Sequence, residues 1–207
     1  MDSKQYFENV AETWDIMRES LFPDVLREKI YALAEIKEDS VIADIGAGSG
    51  FITEGLLDKQ VKILAVDQSE KMLEIMRKKF SGYENIEYRP GESEKLPVGD
   101  NETDYVFANM FLHHVENPQK SINELYRILK PGGKLIISDA DSHNYDFLIT
   151  EQQDRWKGFN RNDIRTWYKN AGFRDISIIC SGDICRPKSE EGNDPVSITI
   201  FIASGQK

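Results

Sequence analysis

A chain of 207 residues is long enough for one domain with a large buried core, and 40% hydrophobic with 30% charged residues is the composition of a folded protein. The formal net charge of -10 disfavours nucleic acids and anionic membranes as partners, and no stretch approaches the roughly 20 apolar residues of a membrane span. The first residues lack the basic start and apolar core of a secretory signal, so we expect a cytoplasmic location.

The chain opens with two stretches, 4–17 and 23–36, whose apolar residues recur every three to four positions and therefore predict two amphipathic helices. Short β-branched runs then alternate with amphipathic stretches, a pattern typical of strand–helix–strand units. The elements predicted up to residue 109 are strands over 41–45, 61–66, 86–88 and 105–109, and helices over 51–58 and 70–80, with Ser69 as the cap of the second.

The second half of the chain continues this alternation and then changes it. The predicted elements are a helix over 121–129 that stops before a Pro-Gly-Gly turn, a strand over 135–138, a polar and aromatic excursion over 141–161, a helix over 163–170, and strands over 176–180 and 196–203. Only the polar loop 187–195 separates the last two strands, which predicts an antiparallel pair. We therefore predict an α/β fold whose seven-stranded, mostly parallel sheet has helices on both faces and an antiparallel C-terminal hairpin.

Three glycines in five residues follow the first strand, in the stretch IADIGAGSG over 42–50. Glycine at positions 46, 48 and 50 permits positive φ and lets a ligand approach the backbone, and the amides that begin the next helix point towards that ligand. The G-x-G-x-G spacing differs from the G-x-G-x-x-G fingerprint of dinucleotide sites, and the loop lacks the lysine of a P-loop. Asp44 at its mouth would repel a pyrophosphate and would suit a ligand with an ammonium or sulfonium charge.

Two further carboxylates follow the next two strands. Asp67 ends the second strand and can accept both hydroxyls of a ribose, although a helix-capping role is equally open. Glu92 follows the third strand and can accept from an adenine amine, although taken alone it is more readily a solvated side chain. Because the carboxyl ends of parallel strands meet at one edge of a sheet, the three carboxylates together indicate a nucleoside ligand.

Four segments of the chain resemble class I S-adenosylmethionine-dependent methyltransferases, particularly the ubiquinone, menaquinone and small-molecule branch: VIADIGAGSG, AVDQSEKML, GESEKLPVGDNETDYVFANMFLHHVENP and LYRILKPGGKLIISD. The resemblance extends from about residue 6 to residue 173. It implies a Rossmann-like fold, S-adenosylmethionine as the cofactor with S-adenosylhomocysteine as the product, and methyl transfer to a small-molecule acceptor.

The resemblance also implies roles for individual residues. The glycine loop would face the methionine part of the cofactor, Asp67 the ribose, and Gln68 and Met72 the adenine. Glu92 and Ser93 stand where the family usually has Asp and Ala. The residues carried over as cofactor contacts are Asp44, Gly46, Ala47, Gly48, Asp67, Gln68, Met72, Glu92, Ser93 and Asn109.

The family also implies that the segment before the first strand folds over the cofactor as a lid. We expect one domain over 1–207, made of a helical lid (1–38), a cofactor-binding half (39–140), and an acceptor-side part with the C-terminal hairpin (141–207). In the lid, Trp14 would pack on the methionine end and Arg18 would pair with its carboxylate. A core stripe and a surface salt bridge explain these two residues equally well.

His113 and His114, directly after the fourth strand, are the candidate catalytic residues. Methyl transfer from a sulfonium is an in-line displacement that depends mainly on alignment, so no covalent nucleophile is needed. A hydroxyl or amine acceptor also needs a base, and imidazole titrates near neutrality. Adjacent side chains diverge, so at most one is expected to face the acceptor, and packing with loop hydrogen bonds is the alternative role for both.

No metal site is predicted, because Cys180 and Cys185 offer too few ligands and are interpreted as reduced thiols rather than a disulfide. Two other functions stay open, a nucleotide-dependent oxidoreductase and a non-catalytic protein that binds S-adenosylmethionine or a nucleoside. The glycine spacing and Asp44 disfavour the oxidoreductase, and only turnover separates the enzyme from the binding protein.

Overall fold

The computed structural model describes residues 3–189 and 196–207, and its centre is one seven-stranded sheet. The strands are β1 (Ser40–Ile45), β2 (Val61–Asp67), β3 (Ile86–Pro90), β4 (Thr103–Asn109), β5 (Leu129–Ala140), β6 (Arg174–Cys185) and β7 (Ile198–Gln206). They lie in the order β3-β2-β1-β4-β5-β7-β6, and β7 runs antiparallel to both of its neighbours while the other pairs are parallel. The predicted fold class, with its antiparallel C-terminal pair, is confirmed.

Helices cover both faces of the sheet. They are α1 (Ser3–Val10), α2 (Trp14–Leu21), α3 (Val25–Ala34), α4 (Phe51–Glu54), α5 (Glu70–Lys79), α6 (Pro118–Ile128), α7 (Phe147–Glu151) and α8 (Arg161–Ala171). Side chains alternate along each strand, so Ile42 packs in one core with α3, α4 and α5, while Ala43 packs in the other with α6 and α8. Within the described ranges, no helix has the length and apolar character needed to cross a bilayer.

The predicted helix over 4–17 is wrong as one element, because a turn at residues 11–13 divides it into α1 and α2. Thr13 donates both its amide (2.9 Å) and its hydroxyl (3.2 Å) to the carbonyl of Val10, which closes a turn in place of the helical ladder. The turn brings the rings of Phe7 and Trp14 edge to face, 5.2 Å between centroids. The break therefore folds two aromatic side chains of the N-terminal segment against each other.

Several predicted boundaries also move. The predicted helix over 51–58 shortens to α4, because the amide of Leu56 donates to the carbonyl of Thr53 at 2.9 Å, a tight turn in place of the helical ladder. β5 begins at Leu129 and includes the Pro-Gly-Gly stretch at 131–133, whereas the sequence predicts a turn there and a strand only from 135. β6 extends to Cys185, and residues 190–195 of the predicted loop 187–195 lie outside the described residues.

The strand order positions the functional site. Connections from β1 and β4 leave in opposite directions across the sheet, which opens a crevice at the carboxyl ends of these two adjacent strands. Asp44, Asp67 and Asn109 all lie at this edge, on β1, β2 and β4. The sheet therefore brings together residues that are separated by as many as 65 positions in the sequence.

A candidate cofactor site and an adjoining histidine cluster

A cavity of about 560 Å³ occupies this crevice, a size typical of sites for cofactors and other small molecules. Its wall includes the loop after β1, the ends of β2 and β4, the segment after β3, and the helices α1 and α2. The predicted cofactor residues that line it are Trp14, Arg18, Asp44, Gly46, Ala47, Gly48, Asp67, Gln68, Met72, Glu92, Ser93 and Asn109. Of the two candidate catalytic residues, His114 lines this cavity and His113 does not.

The three glycines of the loop all have positive φ, but for different structural reasons. At Gly46 a Cβ would lie 2.4 Å from the ring of Phe111, and at Gly50 it would lie 2.4 Å from the ring of Phe80. At Gly48 the nearest atom to such a Cβ is the indole nitrogen of Trp14, 3.6 Å away. Protein packing therefore requires glycine at 46 and 50, and Gly48 is the position where the bare backbone borders open cavity.

Asp44 is almost completely buried, with 2% of its surface exposed. Its Oδ2 accepts hydrogen bonds from the amide of Thr53 at 3.1 Å and from the Thr53 hydroxyl at 2.8 Å, so it also secures the start of α4. Burial raises the pKa of Asp44 to about 7, although the bonds from Thr53 lower it. The carboxylate is thus held rigidly in the cavity wall and changes charge near neutral pH.

Asp67 connects the glycine loop to the turn after β2. Its Oδ2 accepts from the amide of Gly48 and its Oδ1 accepts from the amide of Ser69, both at 2.8 Å. The hydroxyl of Ser69 accepts from the amide of Met72 at 3.3 Å and caps α5, as predicted for that residue. The alternative of Asp67 as the helix cap is therefore wrong. A third backbone hydrogen bond, from Gln68, also reaches Asp67, and the remaining acceptor capacity of the carboxylate is available to a ligand.

The segment after β3 supplies the opposite end of the cavity. Glu92 is exposed and forms an isolated bridge with Lys95. The side-chain amide of Gln68 donates from Nε2 to the hydroxyl of Ser3 at 3.5 Å, so α1 covers this end of the cavity. Met72 is buried beneath it and gives the wall an apolar floor.

Trp14 and Arg18 of α2 close the other end. Arg18 is only 7% exposed, and its Nη1 lies 2.7 Å from Oδ1 of Asp24, while the guanidinium stacks 4.9 Å over the ring of Phe51. The ion pair with Asp24 uses Nη1 of the guanidinium, and Arg18 also lines the cavity. Asp15, not predicted from the sequence, accepts from the hydroxyl of Ser49 at 2.5 Å and so ties α2 to the glycine loop.

The two histidines lie in a single 3-10 turn after β4 and belong to a buried polar cluster. Nδ1 of His113 lies 2.6 Å from Oδ1 of Asp139, a fully buried residue on β5. Asp154, from the excursion before α8, places its Oδ1 3.8 Å from Nε2 of His113 and 3.7 Å from Nδ1 of His114. No sequence signal indicated these two aspartates, which follow the histidines by 25 to 41 positions.

The cluster holds its two imidazoles in different charge states. Burial lowers the pKa of His113, but Asp139 and then Asp154 outweigh burial and raise it to about 9. Burial and the positive charge of His113 bring the pKa of His114 well below its usual range. Burial raises the pKa of Asp154 to about 6, although His113 lowers it. At neutral pH His113 is therefore the cation and His114 the neutral imidazole.

Known proteins match this arrangement at the level of sequence and fold. A family model described as a methyltransferase domain matches residues 43–137, which contain the glycine loop, Asp67, Glu92 and both histidines. This match covers just under half of the chain and, with the relatives below, supports a class I S-adenosylmethionine-dependent methyltransferase. The family, the fold class and the cofactor expected from the sequence are thus confirmed. Of the predicted site, Trp14 and Arg18 lie outside the matched residues.

Individual relatives show how far the similarity extends. The malonyl-[acyl-carrier protein] O-methyltransferase of a Marinomonas species is 29% identical over 76% of this chain and 57% of that protein. The demethylmenaquinone methyltransferase of Clavibacter sepedonicus is 29% identical over 82% of this chain and 81% of that one. The chain therefore spans less than two thirds of the first relative and about four fifths of the second.

A solved structure of an S-adenosylmethionine-dependent methyltransferase from Aquifex aeolicus superimposes with a TM-score of 0.71 at 22% identity, over 96% of this chain and 97% of that one. At 22% identity, this similarity is evidence for a shared fold only. The two chains therefore share one fold over most of their length.

Proposed function

We propose that this chain transfers the methyl group of S-adenosylmethionine to a small-molecule acceptor. The observation that supports this proposal is the cavity in which a bare glycine backbone meets the carboxylates of Asp44, Asp67 and Glu92. S-adenosylmethionine carries a sulfonium charge, a ribose diol and an adenine amine, which are the groups that carboxylates attract or accept from. The Marinomonas and Clavibacter relatives carry the names of acceptors other than nucleic acids.

The cofactor orientation follows from the chemistry of the wall. The ribose diol would use the remaining acceptor capacity of Asp67, and the adenine would lie between Met72 and Glu92. The methionine end would then point towards Arg18, whose guanidinium can pair with its carboxylate. Trp14 would close over the sulfonium, because an indole face attracts a cation.

The reaction needs alignment more than covalent chemistry. Holding the acceptor in line with the methyl carbon and the sulfur can supply on the order of 7–11 kcal/mol of the barrier. His114 lines the cavity and is the side chain placed to receive a proton from a hydroxyl or amine acceptor. His113 lies behind it and would act on the acceptor only through His114.

Ligand-dependent thermal stabilisation tests the cofactor part of the proposal. S-adenosylhomocysteine at 100 times its Kd should add about 2.7 kcal/mol to the free energy of unfolding, while NADH should add nothing. Asp67→Ala should abolish most of the stabilisation by S-adenosylhomocysteine. Stabilisation by NADH in place of S-adenosylhomocysteine would establish the oxidoreductase alternative instead.

Turnover tests the catalytic part. The wild-type chain is incubated with methyl-labelled S-adenosylmethionine and a panel of small hydroxyl, amine, thiol and activated-carbon acceptors. We expect labelled product from at least one class. Tight cofactor binding with no methylated product from any class would favour the non-catalytic binding protein.

A further inference from the structure

Beside the cofactor cavity, three side-chain atoms of the type that bind metals converge on one point. One ring nitrogen of His113, one ring nitrogen of His114 and one carboxylate oxygen of Asp154 all lie within 4.8 Å of one another. The carboxylate oxygen is 3.8 Å and 3.7 Å from the two nitrogens. We propose that these three side chains bind one divalent transition-metal ion, with Zn²⁺ as the representative ion.

The spacing is close to that of a formed site. Zinc lies about 2.0–2.2 Å from histidine nitrogens and carboxylate oxygens, so two atoms that bind one ion can be no more than about 4.0–4.4 Å apart. The Oδ1 atom of Asp154 meets this limit towards both histidines, at 3.8 Å and 3.7 Å. Movements of a few tenths of an ångström, within the range of side-chain torsions, would complete the coordination.

Asp139 supplies the supporting contact that such sites use. Histidines that bind a metal through one ring nitrogen usually donate the other N–H to a carboxylate, which fixes the ring orientation. Nδ1 of His113 lies 2.6 Å from Oδ1 of the fully buried Asp139, so Nε2 is the nitrogen that faces Asp154. A bound ion would take the place of the proton that Nε2 carries in the metal-free chain, and that proton would be released to solvent. Asp139 itself accepts from the amides of Leu112 at 2.8 Å and Ala140 at 2.7 Å, which hold it in place.

The remaining two groups lack partners that an ion would provide. Nδ1 of His114 is buried and has no hydrogen-bond partner among the described residues. Asp154 is 8% exposed, and within 3–189 and 196–207 no donor reaches its carboxylate at hydrogen-bond distance. Buried polar groups are ordinarily satisfied, so an imidazole nitrogen and a carboxylate that face each other at 3.7 Å without a bond indicate a missing third partner.

The donor set selects the class of ion. Two imidazoles and one carboxylate suit zinc and related transition metals, whereas Mg²⁺ and Ca²⁺ prefer oxygen ligands throughout. Three protein ligands leave a coordination position open, as in catalytic rather than structural zinc sites. The three residues line a small cavity of about 40 Å³ that shares Trp14 and His114 with the cofactor cavity, so an acceptor could reach the ion from there.

Metal titration of the full chain, stripped with a chelator and free of cofactor, tests the proposal. We expect one equivalent of Co²⁺ to give the visible absorption of a bound low-coordinate ion, Zn²⁺ to displace it, and excess Mg²⁺ to leave it unchanged. His114→Gln and Asp154→Asn should each weaken Zn²⁺ binding at least 100-fold. Asp139→Asn, which keeps all three ligands, should weaken it by about 10–100-fold.

His143→Gln is the matched control, because His143 lines the same small cavity but is not one of the three ligands. Its Zn²⁺ affinity should stay within twofold of the wild type. The proposal is wrong if the wild type binds no stoichiometric Zn²⁺ or Co²⁺, or if His143→Gln weakens binding as much as His114→Gln does. Circular dichroism shows which variants are folded, and any one folded ligand variant is sufficient for the comparison.

An ion bound to Nδ1 of His114 would leave the proton on Nε2, so His114 would act as the base only in the metal-free chain. Binding of the cofactor does not depend on this choice, and the titration needs neither cofactor nor turnover, so its outcome is separate from that of methyl transfer. Binding of S-adenosylhomocysteine measured on the same preparations distinguishes the two. A chain that binds S-adenosylhomocysteine but no Zn²⁺ refutes the metal site alone, and a chain that binds Zn²⁺ but no S-adenosylhomocysteine refutes the proposed function alone.

Discussion

Asp44→Asn should make the protein more stable above neutral pH. Asp44 is 2% exposed, and burial raises its pKa from 3.8 to about 7. Its folded-state pKa lies above the unfolded value, so the folded chain binds more protons between these values and its stability falls as pH rises through them. Ionising Asp44 then costs about 4 kcal/mol in total, of which about 2–3 kcal/mol falls between pH 5 and pH 8.

Asparagine removes that cost and can keep the two bonds from Thr53, because its Oδ1 can accept from the same amide and hydroxyl. The assay is urea unfolding of wild type and Asp44→Asn at pH 5 and pH 8. The free energy gained by the substitution should be about 2–3 kcal/mol larger at pH 8 than at pH 5. Subtracting the gain at pH 5 from the gain at pH 8 cancels the contributions of the other titrating groups, because these groups are present in both proteins.

Asp39→Asn is the matched control, because Asp39 is an exposed aspartate near the start of the same strand, and asparagine can still accept from Gln60 there. Because this side chain is exposed, the control tests whether loss of an aspartate as such, rather than loss of a buried one, produces the gain. The reasoning about Asp44 is refuted if wild type and Asp44→Asn lose the same stability between pH 5 and pH 8, or if the control shows the same pH-dependent gain.

Three further predictions concern the cofactor cavity. Asp44→Asn should weaken binding of S-adenosylmethionine several-fold more than binding of S-adenosylhomocysteine, because only the former carries the sulfonium charge; equal losses in calorimetry would contradict this. Gly50→Ala should lower the melting temperature far more than Gly48→Ala, because the new Cβ at position 50 would lie 2.4 Å from the ring of Phe80. Gly48→Ala is strained only by its φ of 54° and should cost about 1–2 kcal/mol of stability. Arg18→Ala should reduce affinity for S-adenosylhomocysteine by about tenfold or more. Affinity for 5′-methylthioadenosine, which has no carboxylate, should be unchanged. A loss of affinity for both ligands would show that Arg18 only supports the fold.

Local patterns in the sequence were sufficient to predict the sheet and the cofactor edge. Alternating β-branched runs mark strands because each strand buries residues at a period of two, and the absence of a helix between the last two strands left an antiparallel pairing as the simple solution. Asp44 and Asp67 end β1 and β2 by sequence position alone, and parallel strands bring their ends to one edge.

Contacts between distant segments were not predictable in the same way. The break between α1 and α2 depends on hydrogen bonds of Thr13 to Val10 that amphipathic periodicity does not register. The reasons for the glycines at 46 and 50 are the rings of Phe111 and Phe80, which arrive from later elements.

The sequence by itself therefore determined the fold class, the family resemblance and the carboxylates and glycines at one edge of the cavity, because periodicity and motif spacing are local properties of the chain. The tertiary structure alone decided the character of the histidine pair. Asp139 on β5 and Asp154 from the following excursion meet His113 and His114 only after the sheet has formed. Charge and hydrogen bonding act through space over a few ångströms, so which histidine becomes a cation, and whether the cluster can hold an ion, depends on that packing.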